Sequence, residues 1–248
     1  MINVLKEWWR PIAALWTKEM RSYFQSPIAY GVIVVFLIFT AFWFLFINVF
    51  VAQNQATLRG LFTIFPVVFI VLIPALTMRI WSEENRQGSA ELLYTLPIPP
   101  SSLVLGKFLA VSTVTTLMIL LTLPLALTAM SFGEFEIGQV FGDYLSCILL
   151  ALAAGAIGMF ASSLVPHQIT AFLIGVLMLL LLTLANLMAN TLGLPEFLSA
   201  LLRWFSLEFR FSQLQRGVID TRDVFFFVWL TVLFLYLNTK SLVLRKAG

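Results

Sequence analysis

The chain alternates between long stretches without charge and short clusters that hold nearly all of it. No Asp, Glu, Lys, Arg or His occurs in 22–58, 60–78, 108–133, 144–166, 168–195 or 224–239. A helix needs roughly 20 apolar residues to cross a ~30 Å hydrocarbon core. Most of the gaps supply that length. The last does so by extending to Val243, and the second includes Ile80 and Trp81. The pattern predicts spans at about 28–51, 60–81, 102–130, 141–165, 168–192 and 222–243, within a transmembrane domain over 27–248. A membrane β-barrel would alternate apolar and polar residues over about ten positions. Runs such as GVIVVFLIFTAFWFLFI and LIGVLMLLLLTLANLM show no such alternation. The expected fold is an all-α polytopic membrane protein with six transmembrane helices.

The segment before the first gap, 1–26, has a different rhythm. Leu5, Trp8, Trp9, Ile12, Trp16, Met20 and Tyr23 recur at helical spacing, while Lys18, Arg21 and Gln25 fall on another face. That is the pattern of an amphipathic helix lying in the membrane interface, with Trp8, Trp9 and Trp16 at headgroup level and Lys18 and Arg21 toward water. Its charges are spread throughout, which does not fit a cleavable signal peptide. Pro27 is expected to separate it from the first span. Between the fifth and sixth spans, Leu198, Leu201, Leu202 and Phe205 are also helix-spaced. This patch is too short to cross the bilayer, so 194–218 reads as short amphipathic helices at the outer side, extracellular or re-entrant.

Composition agrees and adds orientation. Of 248 residues, 60% are apolar and 11% charged, about half the charged fraction of a soluble domain. So much apolar surface also excludes disorder, and Cys147, the only cysteine, excludes a disulfide framework. Six spans place both termini on one side. That side holds ten of the 15 Lys and Arg, including every Lys; the other holds Arg59, Arg203, Arg210, Arg216 and Arg222. The positive-inside rule assigns the basic side to the cytoplasm, which in a bacterium means a multi-pass inner-membrane protein with both termini inside. Fifteen scattered cations do not form the basic patch of a nucleic-acid-binding protein.

The main charge cluster between spans is Arg79, Glu83, Glu84, Arg86 and Glu91. Arg79–Glu83 and Glu83–Arg86 have i,i+4 and i,i+3 spacing, which supports a short helix in water. Leu92, Leu93 and Leu96 give it an apolar edge, Pro97, Pro99 and Pro100 stop it, and Ser101 or Ser102 is placed to cap the next helix. Lys107 is expected to snorkel back to the interface. A charged helix with an apolar edge suits docking to a soluble partner. The run SEENRQGSAELLYTLPI (82–98), followed by VLGKFLA (104–110), resembles the cytoplasmic loop of type-2 ABC (ABC-2) exporter permeases. That resemblance implies a coupling helix over 82–96 that contacts an ATPase subunit through Glu83, Glu84, Arg86, Gly88, Glu91, Leu92, Leu93 and Leu96. The family usually has Gly-Thr where this chain has Gly88-Ser89. SSLVPHQITAFLIG (162–175) and FSQLQRGVIDTRDVFFFVWLTVLFLYL (211–237) are similar to the gliding-motility (GldF-like) branch and its nitrous-oxide-reductase-maturation (NosY-like) relatives. Val165-Pro166-His167 departs from that branch's usual Thr-Glu-Asn or Thr-Asp-Asn, so no role is carried over to the turn.

The chain lacks chemistry of its own. A phosphate-cradling loop requires G-x-x-x-x-G-K-[ST]; the sole Gly-Lys, Gly106-Lys107, has Ser101 and Phe108 where Gly and Ser or Thr are needed. One His and one Cys cannot build a zinc site, and the span interiors hold no acid–base pair for a proton relay. Expected, then, are no catalytic residue, no metal and no cofactor, with ATP bound by the partner. His167 reads as a loop residue, Cys147 as packing, and Ala154, Gly158 and Ser162 as a small-residue helix contact. Asn48, Asn186 and Asn190 read as interhelical hydrogen-bonding groups or as substrate contacts. Pro66, Pro74 and Pro124 are candidate kinks. The resemblance implies half of a twelve-helix dimer, homodimeric or paired with a related permease, in which spans one and five meet and two ATPase subunits drive export. The alternative is a subunit that transmits ATPase strokes to an extracytoplasmic accessory protein without translocating a solute.

Overall fold

A computed structural model describes residues 2–47, 58–88, 98–131, 136–191, 193, 195–215 and 220–247, with side chains described between Trp9 and Leu244. Among these residues there are helices and no strands. The first helix, α1 (Ile2–Gln25), ends one residue before α2 (Pro27–Phe42), which continues as a π-helical turn over Trp43–Ile47. Then come α3 (Arg59–Phe62), α4 (Phe65–Thr77) and α5 (Arg79–Gln87), which together form the second span. The third span joins α6 (Pro100–Leu120) to α7 (Leu123–Met130). The fourth and fifth are α8 (Ile137–Leu164) and α9 (Gln168–Thr191); α10 (Glu196–Phe205), α11 (Leu207–Leu214) and α12 (Thr221–Ala247) complete the chain. Among the described residues, six helical stretches have the length and hydropathy to cross a membrane.

The breaks follow proline. α4 carries Pro66 in its first turn and Pro74 in its interior, and α7 carries Pro124 in its first turn. Pro at the first helical positions costs little because those N–H groups lack intrahelical partners anyway. The same logic corrects one expectation. The third span starts at Pro100 with Pro99 in the capping position, so Ser101 and Ser102 lie inside the first turn and do not cap it.

The fourth span is the core of the bundle and packs against the second, third, fifth and sixth. Ala151, Ala153, Ala154, Gly155, Ala156, Gly158 and Ala161 are all buried, and such small side chains let helix backbones approach closely in a membrane. A Cβ on Gly155 would lie 3.0 Å from Val111 Cγ1 of the third span. The first, fifth and sixth spans have far less of their surface covered. The first leans on the second through Phe36, whose ring centroid lies 5.2 Å from Phe65 and 6.0 Å from Phe69.

Helices α10 and α11 fold back beside the fifth span. Ser206, at the turn between them, donates to the Thr183 carbonyl at 3.3 Å. Thr183 lies eight residues inside the end of α9, about 12 Å along the axis. Asn186 Nδ2 donates to Glu208 Oε2 of α11 at 3.2 Å and so joins two helices, whereas exposed Asn190 donates only within α9, to Asn186 Oδ1. Asn48 lies outside the described residues.

Candidate functional site

The site begins where the second span breaks at Met78. Proline lacks the N–H that would continue the helix ladder, and Pro74 sits just before the break. The Thr77 hydroxyl donates back to the Ile73 carbonyl at 3.0 Å. Gly158 of the fourth span allows this turn to nest, since a Cβ there would lie 2.2 Å from Thr77 Oγ1. One turn further on, Ser162 pins the start of α5. Its Oγ accepts from the Trp81 and Ser82 N–H groups at 3.1 and 3.2 Å, and donates to the Met78 carbonyl at 2.8 Å. Ser82 Oγ also donates to that carbonyl. A serine hydroxyl offers one proton and two lone pairs, so the hydrogen-bonding capacity of Ser162 is fully used.

A second tie connects α5 to α1 through the third span. Gly106 lets α1 lie directly on α6: a Cβ there would lie 2.8 Å from Leu15 Cβ and 3.1 Å from the Ile12 carbonyl oxygen. This contact places Glu19 beside Lys107. The Lys107 side chain is 1% exposed. Its Nζ donates to Glu19 Oε1 and Glu84 Oε1, each at 2.8 Å, and to the Ile80 carbonyl at 3.0 Å. An ammonium has three protons, and each has an acceptor. The Trp81 ring, fully buried, lies 4.7 Å from the same nitrogen, within cation–π range. Lys18 Nζ approaches Glu84 Oε1 from the more exposed side at 3.2 Å.

Further contacts join the same elements. Arg79 Nε pairs with Glu83 Oε2 at 3.0 Å, while its Nη1 donates to Ser26 Oγ at 3.0 Å. Tyr23 donates to the Leu76 carbonyl at 3.0 Å. Burial, and then the neighbouring Glu19 carboxylate, push the Tyr23 phenol well above its ordinary range, partly opposed by Arg79, so it stays a neutral donor. Between α1 and α5 an open groove of about 960 Å³ remains, lined by Lys18, Arg21, Gln25, Glu83, Glu84 and Gln87 among others.

The sequence-predicted residues divide accordingly. Glu83 and Glu84 lie on α5 and join the network, whereas Arg86 is exposed. The expected Glu83–Arg86 pair does not form, because Glu83 Oε2 holds Arg79 and its Oε1 accepts from Gln87 at 3.3 Å. Gly88 closes α5 with φ +70°, a left-handed end that favours glycine. The helix therefore stops at Gly88, short of the prolines expected to stop it. Glu91, Leu92, Leu93 and Leu96 lie outside the described residues.

In α1 the buried stripe is Ile12, Leu15 and Glu19, while Trp9 and Trp16 are 63% and 37% exposed. Trp16 nevertheless donates to Thr113 Oγ1 at 3.1 Å. Lys18 and Arg21 are exposed, and Trp8 lies in the helix with its side chain outside the described set. Lys107 does not snorkel to water, because α1 covers it and two carboxylates meet it inside the protein. Sequence reasoning did not single out Glu19. Its signal was an acid in helical register with Ile12 and Leu15. Ser162 was read only as a small packing residue; its hydroxyl is the pin.

At the opposite end, Arg210 Nη1 meets Asp223 Oδ1 at 2.7 Å, and Thr122 and Tyr144 share a hydrogen bond of 3.1 Å. Cys147 is a buried free thiol. Among the described residues no group of three His, Cys, Asp or Glu is placed to hold a metal. A family model described as ABC-2 family transporter protein matches residues 47–237, about three quarters of the chain. No curated protein matches it.

Proposed function

As the chain belongs to the ABC-2 family of transporter proteins, whose members are membrane components, we propose that it is the permease subunit of a type-2 exporter powered by separate ATPase subunits. The observation that supports this most is the double tie on α5. Lys107 holds α5 to α1 and the third span through Glu19 and Glu84. Ser162 holds its base to the fourth span. A push on α5 or on the groove beside it would therefore reach the bundle core through short, saturated contacts. Packed elements of this kind pass on displacement as rigid shifts.

In this reading the basic end faces the cytoplasm of a bacterial inner membrane. The ATPase docks at 82–96 and along the α1–α5 groove, with Trp8, Trp9, Trp16, Lys18 and Arg21 keeping α1 at the interface. Two permease copies, or this chain and a related permease, associate through the sparsely covered first and fifth spans. Within the family, the resemblance of 162–175 and 211–237 favours the GldF-like and NosY-like branch. One observation favours the second reading, a non-translocating transmitter acting on an extracytoplasmic partner. Ser112, Thr113, Thr115 and Ser163 donate back to carbonyls of their own helices, leaving little for a hydrophilic solute to bind.

The test is association with the ATPase subunit encoded alongside the permease. Arg86 is exposed and makes no ion pair among the described residues, so Arg86→Glu leaves the fold intact while reversing a docking charge. Co-purification should fall at least tenfold, more steeply at low salt than at high. Undiminished association of Arg86→Glu, and of Arg86→Glu with Gln87→Glu, would overturn this docking surface.

A further inference from the structure

At the end of the bundle opposite α1, a groove of about 890 Å³ opens between the α10–α11 hairpin and the start of α12. One wall is a single face of α12. Arg222, Phe225 and Trp229 follow at i, i+3 and i+7, spacing that aligns them on one side of a helix. Trp204 of α10 forms the facing wall, its ring centroid 6.1 Å from Trp229 and 5.8 Å from Phe226. Arg210 braces both walls. It pairs with Asp223 at 2.7 Å and lies over the rings of Trp204 and Phe226 at 5.7 and 5.4 Å. Its charge is already matched. Arg222 is different: it is exposed at the rim, and its side chain makes no ion pair among the described residues. The Asp220 carboxylate beside it accepts from the Arg222 backbone N–H at 2.9 Å.

Below the rim the wall continues as exposed apolar surface. Phe225 is 69% exposed, and Val228, Val232 and Tyr236 are also exposed down the same helix. From Phe225 to Tyr236 this lane runs about 16 Å, half of a ~30 Å hydrocarbon core, which is the depth of one leaflet. The order along α12 is thus a cation at the rim, aromatic rings below it, and an apolar lane one leaflet deep. A phospholipid presents the complementary order: phosphate, glycerol ester, acyl chain. Trp side chains are favoured at that ester level.

We propose that this groove is a binding site for a phospholipid of the leaflet at this end. Arg222 takes the lipid phosphate, Trp204 and Trp229 flank the headgroup boundary, and an acyl chain lies along Phe225 and Val232. An anionic lipid is preferred over a zwitterionic one, because its headgroup carries no ammonium to offset the phosphate charge and repel Arg222. One basic residue near a membrane surface is worth about a fivefold preference for anionic lipid.

The test uses the full chain in phosphatidylcholine nanodiscs doped with phosphatidylglycerol brominated on its acyl chains, read by quenching of tryptophan fluorescence. The Trp229→Phe variant identifies the quenched signal. Brominated phosphatidylglycerol should quench the groove tryptophans at about one fifth of the mole fraction needed with brominated phosphatidylcholine. Arg222→Gln should remove that preference, and Arg210→Lys, which keeps the Asp223 pair, should retain it. Three results would overturn the proposal: a preference unchanged by Arg222→Gln, full displacement of the lipid by millimolar inorganic phosphate, or quenching absent because a Phe225→Cys variant cross-links to a second copy in the same nanodisc.

Discussion

Replacing Lys107 with methionine isolates the energetics of the cage beneath α1. Methionine nearly preserves the length of the aliphatic stem, so packing against Trp81 changes little, but three donated hydrogen bonds and one charge disappear. Glu19 and Glu84, each held 2.8 Å from the lysine nitrogen, are left facing one another. Two like charges ~5 Å apart repel by roughly 3 kcal/mol at an effective dielectric of about 20. Breaking a buried ion pair by removing one partner costs about 3–5 kcal/mol. Lys18, 3.2 Å from Glu84, offsets part of this loss, and both carboxylates retain some exposure. A net loss of about 3 kcal/mol follows, or roughly 6–12 °C in Tm for a chain of this size. Thermal unfolding in detergent, followed by tryptophan fluorescence, provides the measurement. The control is the triple variant Lys107→Met, Glu19→Gln, Glu84→Gln. Removing all three charges together relieves the repulsion and should restore most of the loss, as neutral replacements of buried ion clusters do. A Lys107→Met Tm within 1–2 °C of wild type, or a triple variant no better than the single, would refute the cage as a stabilising tie.

The other contacts carry their own outcomes. Gly158→Ala places a Cβ 2.2 Å from Thr77 Oγ1 and should cost about 1–3 kcal/mol; adding Thr77→Ala, which removes that oxygen, should recover part of it, seen as a partial return of Tm. Ser162→Ala leaves the Trp81 and Ser82 N–H groups without their acceptor, and about 1–3 kcal/mol should be lost, with faster amide exchange confined to the start of α5. Asp223→Asn removes the partner of Arg210 at the opposite end; a drop in Tm should be accompanied by loosening of the Trp204–Phe226 contact, read as a change in tryptophan emission.

Much of the architecture was legible in the sequence because membrane helices are defined by where charge is absent. The helix over Ile2–Gln25 and the Arg79–Glu83 pair could be read from local periodicity alone. What could not be read was long-range. Glu19 and Lys107 are 88 residues apart, and only Gly106, which permits α1 to lie on the third span, brings them together. Lys107 therefore looked like a lysine bound for the interface. Ser162 is 80 residues from Ser82, and nothing in the small-residue series distinguishes a serine that packs from one that holds open a helix ladder. The buried stripe of α1 was hidden for a similar reason: hydropathy marks its tryptophans and not Glu19, which is buried because its charge is answered by Lys107.

The central claim, that ATP-driven motion at α5 reaches the far end of the bundle, has one direct test. Cys147 is buried, so Leu187→Cys, on the exposed surface near the far end of α9, introduces a single reactive thiol. Its maleimide labelling rate is measured in nanodiscs containing the permease and its ATPase, with and without ATP. The expected result is a severalfold change on adding ATP that disappears in the Arg86→Glu background. An equal rate with and without ATP, or a change that survives Arg86→Glu, would contradict transmission through α5.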